Sequence, residues 1–162
     1  MVRLAKRKPS PRLVYVISIA LALVVGTVSG LVSMGGMKAF AGLKQPPLSP
    51  PGWLFPIAWT ILYVLMGISA AKIYLSGGDG VRSALVIYVA QLIVNFLWSP
   101  LFFELELRLV AFIWLLLLIA LVVKMIIDFH RIDKTATYLQ IPYLIWLVFA
   151  GYLNLGVFIL NN

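Results

Sequence analysis

The sequence predicts an all-α integral membrane protein, a bundle of five transmembrane helices forming a single domain over residues 1–162. Three observations predict it. The chain is 63% hydrophobic, well above the roughly 45–50% apolar content of soluble domains, and its mean hydropathy is +1.06. Asp, Glu, Lys and Arg are absent from 13–37, 45–71, 83–103, 109–123 and 135–162. Four of these stretches reach the roughly 17–25 residues that a helix needs to cross a bilayer. The charges themselves gather between the stretches, so helices are expected near 13–34, 51–75, 83–103, 107–127 and 136–160, with a long loop at 35–50.

The first helix follows Arg3, Lys6, Arg7, Lys8 and Arg12. An apolar run after a basic start, with Ala39-Phe40-Ala41 beyond it, has some likeness to a cleaved signal peptide. Its apolar stretch, however, outlasts the roughly 7–15 residues of a signal sequence, so it is read as a span. Gly26-Thr27-Val28-Ser29-Gly30 gives the helix a face of small residues. In lipid, close backbone approach is a main source of helix association, and this face suits either a second copy or another helix of the same chain.

The loop ends in QPPLSPPGW, where Pro46, Pro47, Pro50 and Pro51 stiffen the backbone and bias the residue before each. Ser49 is the expected N-cap of the second helix. Trp53 opens that helix at headgroup depth, where amphipathic rings belong. Trp59 falls about two turns deeper, where a belt explains it less well, so a rigid loop entering above inward tryptophans reads as a lid over a pocket, with a merely rigid connector as the alternative. On the third helix Gln91, Asn95 and Trp98 share one face by their spacing of four and three. Amides in hydrocarbon must be satisfied, which makes this face either interhelical hydrogen-bonding surface or the polar part of a pocket. Glu104-Leu105-Glu106 barely separates the third and fourth helices, which are therefore antiparallel neighbours. The fourth extends past Lys124, whose amine can snorkel. On the fifth, Tyr143, Trp146, Ala150 and Asn154 again follow the helical spacing, and small Ala150 leaves room beside the indole.

Ten basic residues fall on the side of the N-terminus against three, Lys38, Lys44 and Arg108, on the other. This asymmetry places the N-terminus in the cytoplasm, with the plasma membrane as the expected location. The net charge of +8 then reflects topology and contact with anionic lipid, not nucleic acid. Without cysteine, disulfides, thiolate catalysis and cysteine-ligated metals are excluded. No metal site or resident cofactor is expected. His130, the single histidine, belongs to a polar loop beside Asp128, Arg131 and Asp133, and Glu104 and Glu106 lack acidic neighbours for two-carboxylate chemistry. The deeper spans hold no charge for a proton relay.

Together Pro46, Pro50-Pro51-x-Trp53, Trp59, Leu62-Tyr63 and Gly67, then Gln91-x-x-x-Asn95, Trp98 and Phe102-Phe103, then Pro142-Tyr143-x-x-Trp146-x-x-Phe149-Ala150 and Leu153-Asn154, resemble the translocator protein family, the tryptophan-rich sensory proteins (TspO). The resemblance covers residues 15–158 or so. It implies a five-helix bundle, a homodimer, and a pocket beneath the first loop that binds porphyrins and synthetic isoquinoline or benzodiazepine ligands. By position it assigns the pocket to Trp59, Asn95, Trp98, Trp146 and Ala150, with Phe55, Phe149 and Leu153 as apolar walls. It implies a receptor or sensor for tetrapyrroles of the protoporphyrin and haem type. The alternatives are a transporter of the same ligands, or an enzyme that degrades porphyrins in light with Trp59 and Trp146 as redox-active groups. The chain departs from the family at Ala39-Phe40 and Leu48, where loop aromatics are expected. No Lys or Arg follows Tyr152, so the proposed sterol motif is absent.

Overall fold

The computed structural model describes residues 9–161; Arg3, Lys6, Arg7 and Lys8, which supply much of the charge asymmetry, lie outside the described residues. Five helices are long and apolar enough to cross a membrane: Pro11–Val32, Leu54–Ser76, Val81–Phe103, Arg108–His130 and the composite span Lys134–Asn161. In chain order the elements are α1 (Pro11–Val32), α2 (Met34–Phe40), α3 (Leu54–Ser76), α4 (Val81–Phe103), α5 (Arg108–His130), α6 (Lys134–Tyr138) and α7 (Ile141–Asn161). One end of the bundle carries the turns at 77–80 and 131–133 and most of the cations, and is called the basic end. The other carries residues 33–53 and 104–107, and is called the loop end.

Four local readings of the sequence are corrected. Residues 35–50 are not all loop, because Met34–Phe40 forms α2, leaving 41–53 as the connection. The second span begins at Leu54, not near Pro51, and its N-cap is Trp53 without a side-chain bond. Ser49 is no cap. Its Oγ and N–H both donate to the Pro46 carbonyl, at 2.8 and 3.3 Å, and so close a turn. That turn is type II in pattern, with Pro47 at its second position and Leu48 at φ +67° in its third. The last span is interrupted between α6 and α7. Pro142 cannot supply an amide hydrogen and its ring clashes with the preceding turn, so the helix restarts there.

α1 begins cleanly, with the Ser10 side chain accepting from the Leu13 N–H at 3.3 Å and Pro11 in the first turn. It crosses α3 at close range. A Cβ on Gly67 would stand 2.5 Å from the Ile19 Cα, and one on Gly26 would run into the Tyr63 ring. Ser29, on the same face, donates to the Phe96 carbonyl of α4 at 3.0 Å. Most of the small-residue face is therefore occupied within the chain, and only Gly30 is open, with nothing within 4 Å of its Cβ position.

α4 and α5 pack as antiparallel neighbours, helped by the Trp114 indole donating to the Val94 carbonyl at 2.8 Å. α5 in turn packs on α7, where Gly151 lies against Leu115 and Phe112. The order around the bundle is thus α3, α1, α4, α5, α7. The side from α7 back to α3 is closed at the basic end by α6, through Ser69 Oγ donating to the Ala136 carbonyl at 2.8 Å. Asp133 caps α6 by accepting from the Ala136 N–H at 2.8 Å, and it pairs with Lys72 at 3.3 Å. Partial burial pushes the Asp133 carboxyl up, but the Ala136 amide and the Lys72 ammonium outweigh it and hold the group below the usual carboxylate range. The cap and ion pair therefore persist at neutral and mildly acidic pH.

Gly67→Val is expected to destabilise the bundle by about 1–3 kcal/mol, since the obstacle is the backbone of α1 and cannot rotate away. Gly30→Leu should leave stability unchanged within about 0.5 kcal/mol. Unfolding titrations in detergent micelles measure both; equal effects would mean that the α1–α3 crossing is not set by glycine.

Candidate functional site: an aromatic cleft between two helices

The loop end is covered by a strap with fixed attachments. α2 rests on α4, with the Phe40 ring 5.5 Å from Phe102 and 5.3 Å from Phe103. The Gly36 N–H donates to Glu104 Oε1 at 2.7 Å, and glycine is needed there because a Cβ would strike the Phe103 carbonyl. Beyond α2 the chain crosses to α7. Lys44 and Asn161 exchange two hydrogen bonds, the Lys44 N–H to Asn161 Oδ1 at 3.0 Å and Asn161 Nδ2 to the Lys44 carbonyl at 2.9 Å. Pro46 sits directly on Gly156, 2.7 Å from where a Cβ would be, and the Tyr152 hydroxyl donates to the Pro47 carbonyl at 2.7 Å. The strap then turns through exposed Leu48 and enters α3.

Beneath it, α3 and α7 hold their backbones apart and meet through rings. Phe55 lies 5.9 Å from Trp146. Trp59 lies 6.4 Å from Trp146, 6.3 Å from Tyr143 and 5.5 Å from Tyr63. Phe149 continues the row on α7, 5.9 Å from Trp146. These separations are those of aromatic contact, and all four of Phe55, Trp59, Trp146 and Phe149 are half-buried. Ala150 and Leu153, one and two turns beyond Trp146 on α7, are buried. Open grooves of about 600 and 200 Å³ lie elsewhere, one beside the 77–80 turn and one beside the 104–107 turn. The cleft is closed by its own rings, with Trp59 and Trp146 in edge contact across it.

Under the rings lies a chain of hydrogen bonds joining three helices. The Tyr63 hydroxyl donates to Asn95 Oδ1 at 3.1 Å, Asn95 Nδ2 donates to the Tyr143 hydroxyl at 2.6 Å, and that hydroxyl donates to Gln91 Oε1 at 2.9 Å. All four residues are buried. The polar face of α4 is therefore interhelical glue at Gln91 and Asn95, and Asn95 reaches the cleft only as the support behind Tyr63 and Tyr143. Trp98 stands apart from the cleft rings. It stacks on Phe102 at 5.3 Å and 12°, and its indole donates to Asn154 Oδ1 at 3.3 Å. Asn154 is fixed in turn by donating to the Arg108 carbonyl at 2.8 Å.

The structure thus brings together Phe55, Trp59, Trp146 and Phe149, flanks them with Ala150 and Leu153, sets Asn95 behind them, and puts Trp98 under α2. Sequence reasoning left Tyr63 and Tyr143 out of the candidate set, although they form the floor. The available signal was their spacing: Tyr63 is one turn from Trp59, and Tyr143 one turn from Trp146. Among the described residues no group of His, Cys, Asp or Glu gathers to hold a metal.

Five apolar spans, a strapped loop end and a ring-lined interior define a small polytopic α-helical membrane protein. Residues 18–160 match the TspO/MBR family model, and the chain belongs to that family. It is 37% identical over 124 residues to the tryptophan-rich protein TspO of Chlorobaculum tepidum, covering 75% of this chain and 78% of that one. It is 35% identical over 153 residues to protein CrtK of Rhodobacter capsulatus, covering 91% of each. With the translocator protein of Bos taurus it shares 35% identity over 122 residues, covering 74% of this chain and 72% of the other.

Tyr143→Phe should cost about 1–3 kcal/mol, because it leaves a buried Asn95 donor and a buried Gln91 acceptor without their partner at once. Tyr63→Phe, which removes one bond, should cost less. Unfolding free energies in micelles report the order, and a larger loss for Tyr63 would move the hub of the network away from Tyr143.

Proposed function

We propose that this protein is a membrane receptor that binds porphyrin-type tetrapyrroles, and similar flat hydrophobic ligands such as isoquinolines and benzodiazepines, in the cleft between α3 and α7. The observation that carries the reading is the pair of half-buried indoles, Trp59 and Trp146, 6.4 Å apart on helices whose backbones do not close. Flanked by Phe55 and Phe149, they offer π-faces to a planar ring system and cost little to part. Apolar walls with a few polar groups are what such sites require, and the Tyr63–Asn95–Tyr143 chain supplies the polar floor. The charge asymmetry supports a cytoplasmic basic end in the plasma membrane, with the strap on the far side. Gly30, open on a largely lipid-exposed α1, supports assembly as a homodimer.

A second reading rests on the same pair. An indole donates an electron without a metal, and Trp59 touches Trp146, Tyr63 and Tyr143. A photoexcited porphyrin between the indoles would take one electron from an indole, leaving a porphyrin radical anion and an indole radical cation, with dioxygen as the oxidant for breakdown. Product formed in light and air, but not in the dark or without oxygen, separates this enzyme from a receptor. Uptake into sealed proteoliposomes separates a transporter from both.

Trp59→Leu and Trp146→Leu should each weaken protoporphyrin binding roughly five- to thirty-fold, the equivalent of about 1–2 kcal/mol of ring contact, while the circular dichroism of the bundle is unchanged. Titration by fluorescence quenching measures it, and unaltered affinity in both variants would remove the pair from the site.

Ala150→Val should lower affinity for bulky ligands more than it lowers apo stability, since added volume beside Trp146 penalises the occupied state most. Equal losses in Tm and affinity would make Ala150 a packing position only.

A further inference from the structure

At the basic end, beside the turn that joins α3 to α4, Tyr74, Gly77, Arg82, Leu85, Val86 and Val89 line an open groove of about 600 Å³. It is distinct from the aromatic cleft. Val86 and Val89 are exposed and point outward from a membrane span, so the walls are lipid-facing. The lining changes character along its length, from aliphatic at Leu85 and Val89 to Arg82 and bare glycine at the membrane boundary. Gly77 and Gly78 have positive φ, and nothing lies within 4 Å of their Cβ positions, so the backbone there is uncovered.

Arg82 has no carboxylate partner among the described residues. Lys72 is paired with Asp133 and Lys124 with Asp128, which leaves Arg12, Arg82, Arg131 and Lys134 as the unpaired cations of this end. Asp79 is exposed and lines no part of the groove. A second copy of the same face would set Arg82 against its own equivalent, which disfavours a symmetric contact here.

We propose that this groove is a binding site for an anionic phospholipid, with an acyl chain along Leu85, Val86 and Val89 and the headgroup phosphate on Arg82 beside the Tyr74 hydroxyl. A cation at the membrane surface holds an anionic lipid with an energy that corresponds to about five-fold in affinity. An apolar trough ending in a guanidinium matches both parts of such a lipid, whereas a zwitterionic lipid gains only the trough.

The full-length protein in micelles is titrated with phosphatidylglycerol or phosphatidylcholine, and bound lipid is counted by native mass spectrometry. Wild type is expected to retain phosphatidylglycerol about five-fold more tightly, with Arg82→Gln abolishing the preference and Arg131→Gln preserving it. Val86→Trp, which fills the trough without changing charge, is expected to weaken retention of both lipids. Loss of the preference in Arg131→Gln to the same extent would mean diffuse charge and overturn the site. So would an unchanged Arg82→Gln, or Val86→Cys protein that cross-links into dimers through this face. Circular dichroism of each variant confirms that the bundle is folded, and the porphyrin titration is expected to be unaffected by all of them.

Discussion

In hydrocarbon an amide side chain without a partner costs several kcal/mol, and α4 carries two of them, Gln91 and Asn95, in the middle of its span. Their satisfaction dictates much of the bundle. Asn95 takes a hydroxyl from α3 and gives a hydrogen to α7, and the α7 hydroxyl gives its own to Gln91. Three helices are thereby held in register by side chains where their backbones are not in contact throughout. The spacing that results between α3 and α7 is what the indoles and phenyl rings then fill.

Elsewhere the same constraint is met by other means at some positions, while the Gln140 amide and the Tyr88 hydroxyl stay buried without a hydrogen-bond partner among the described residues. Where backbones approach closely, glycine permits it, at Gly67 under Ile19 and Gly36 under Phe103. Where a helix must stop within the membrane boundary, its freed groups find partners, as Asp133 and Ser69 do for α6. Trp98 and Trp114 spend their indole hydrogens on Asn154 and the Val94 carbonyl, so their rings serve packing. Trp59 and Trp146 are held chiefly by ring contacts, which is what singles them out as the proposed ligand-facing pair.

Spans were legible from the sequence because apolar runs and charge boundaries are one-dimensional quantities. The meeting of α4 and α5 followed from three residues of connection. Shared faces were also legible: Gln91 with Asn95, Tyr143 with Trp146. What was not legible was partnership across helices. Nothing in the spacing of Asn95 says that two tyrosines on different helices converge on it, so the spacing left interhelical bonding and a pocket handle equally open. The direction of Trp98 was not legible either, since it is set by its stack on Phe102 and its bond to Asn154, while α2 is hidden by the weak helix propensity of Gly35 and Gly36. Ser49 had the right chemistry for a cap, but Pro50 and Pro51 force extended backbone before it can serve one.

The attachments of the strap have a bearing on how a ligand arrives. It is tied to α4 by Glu104 and Phe40 and to α7 by Asn161, Gly156 and Tyr152, whereas to α3 its described hydrogen bonds offer only the continuation of the chain itself. The strap therefore leaves the seam between α3 and α7 untied on its α3 side. A hydrophobic ligand of the proposed class would reach that seam already dissolved in the bilayer. Its working concentration is then fixed by partitioning, so an apparent dissociation constant quoted per volume of buffer will change with the amount of lipid present, even though the contacts made in the cleft do not.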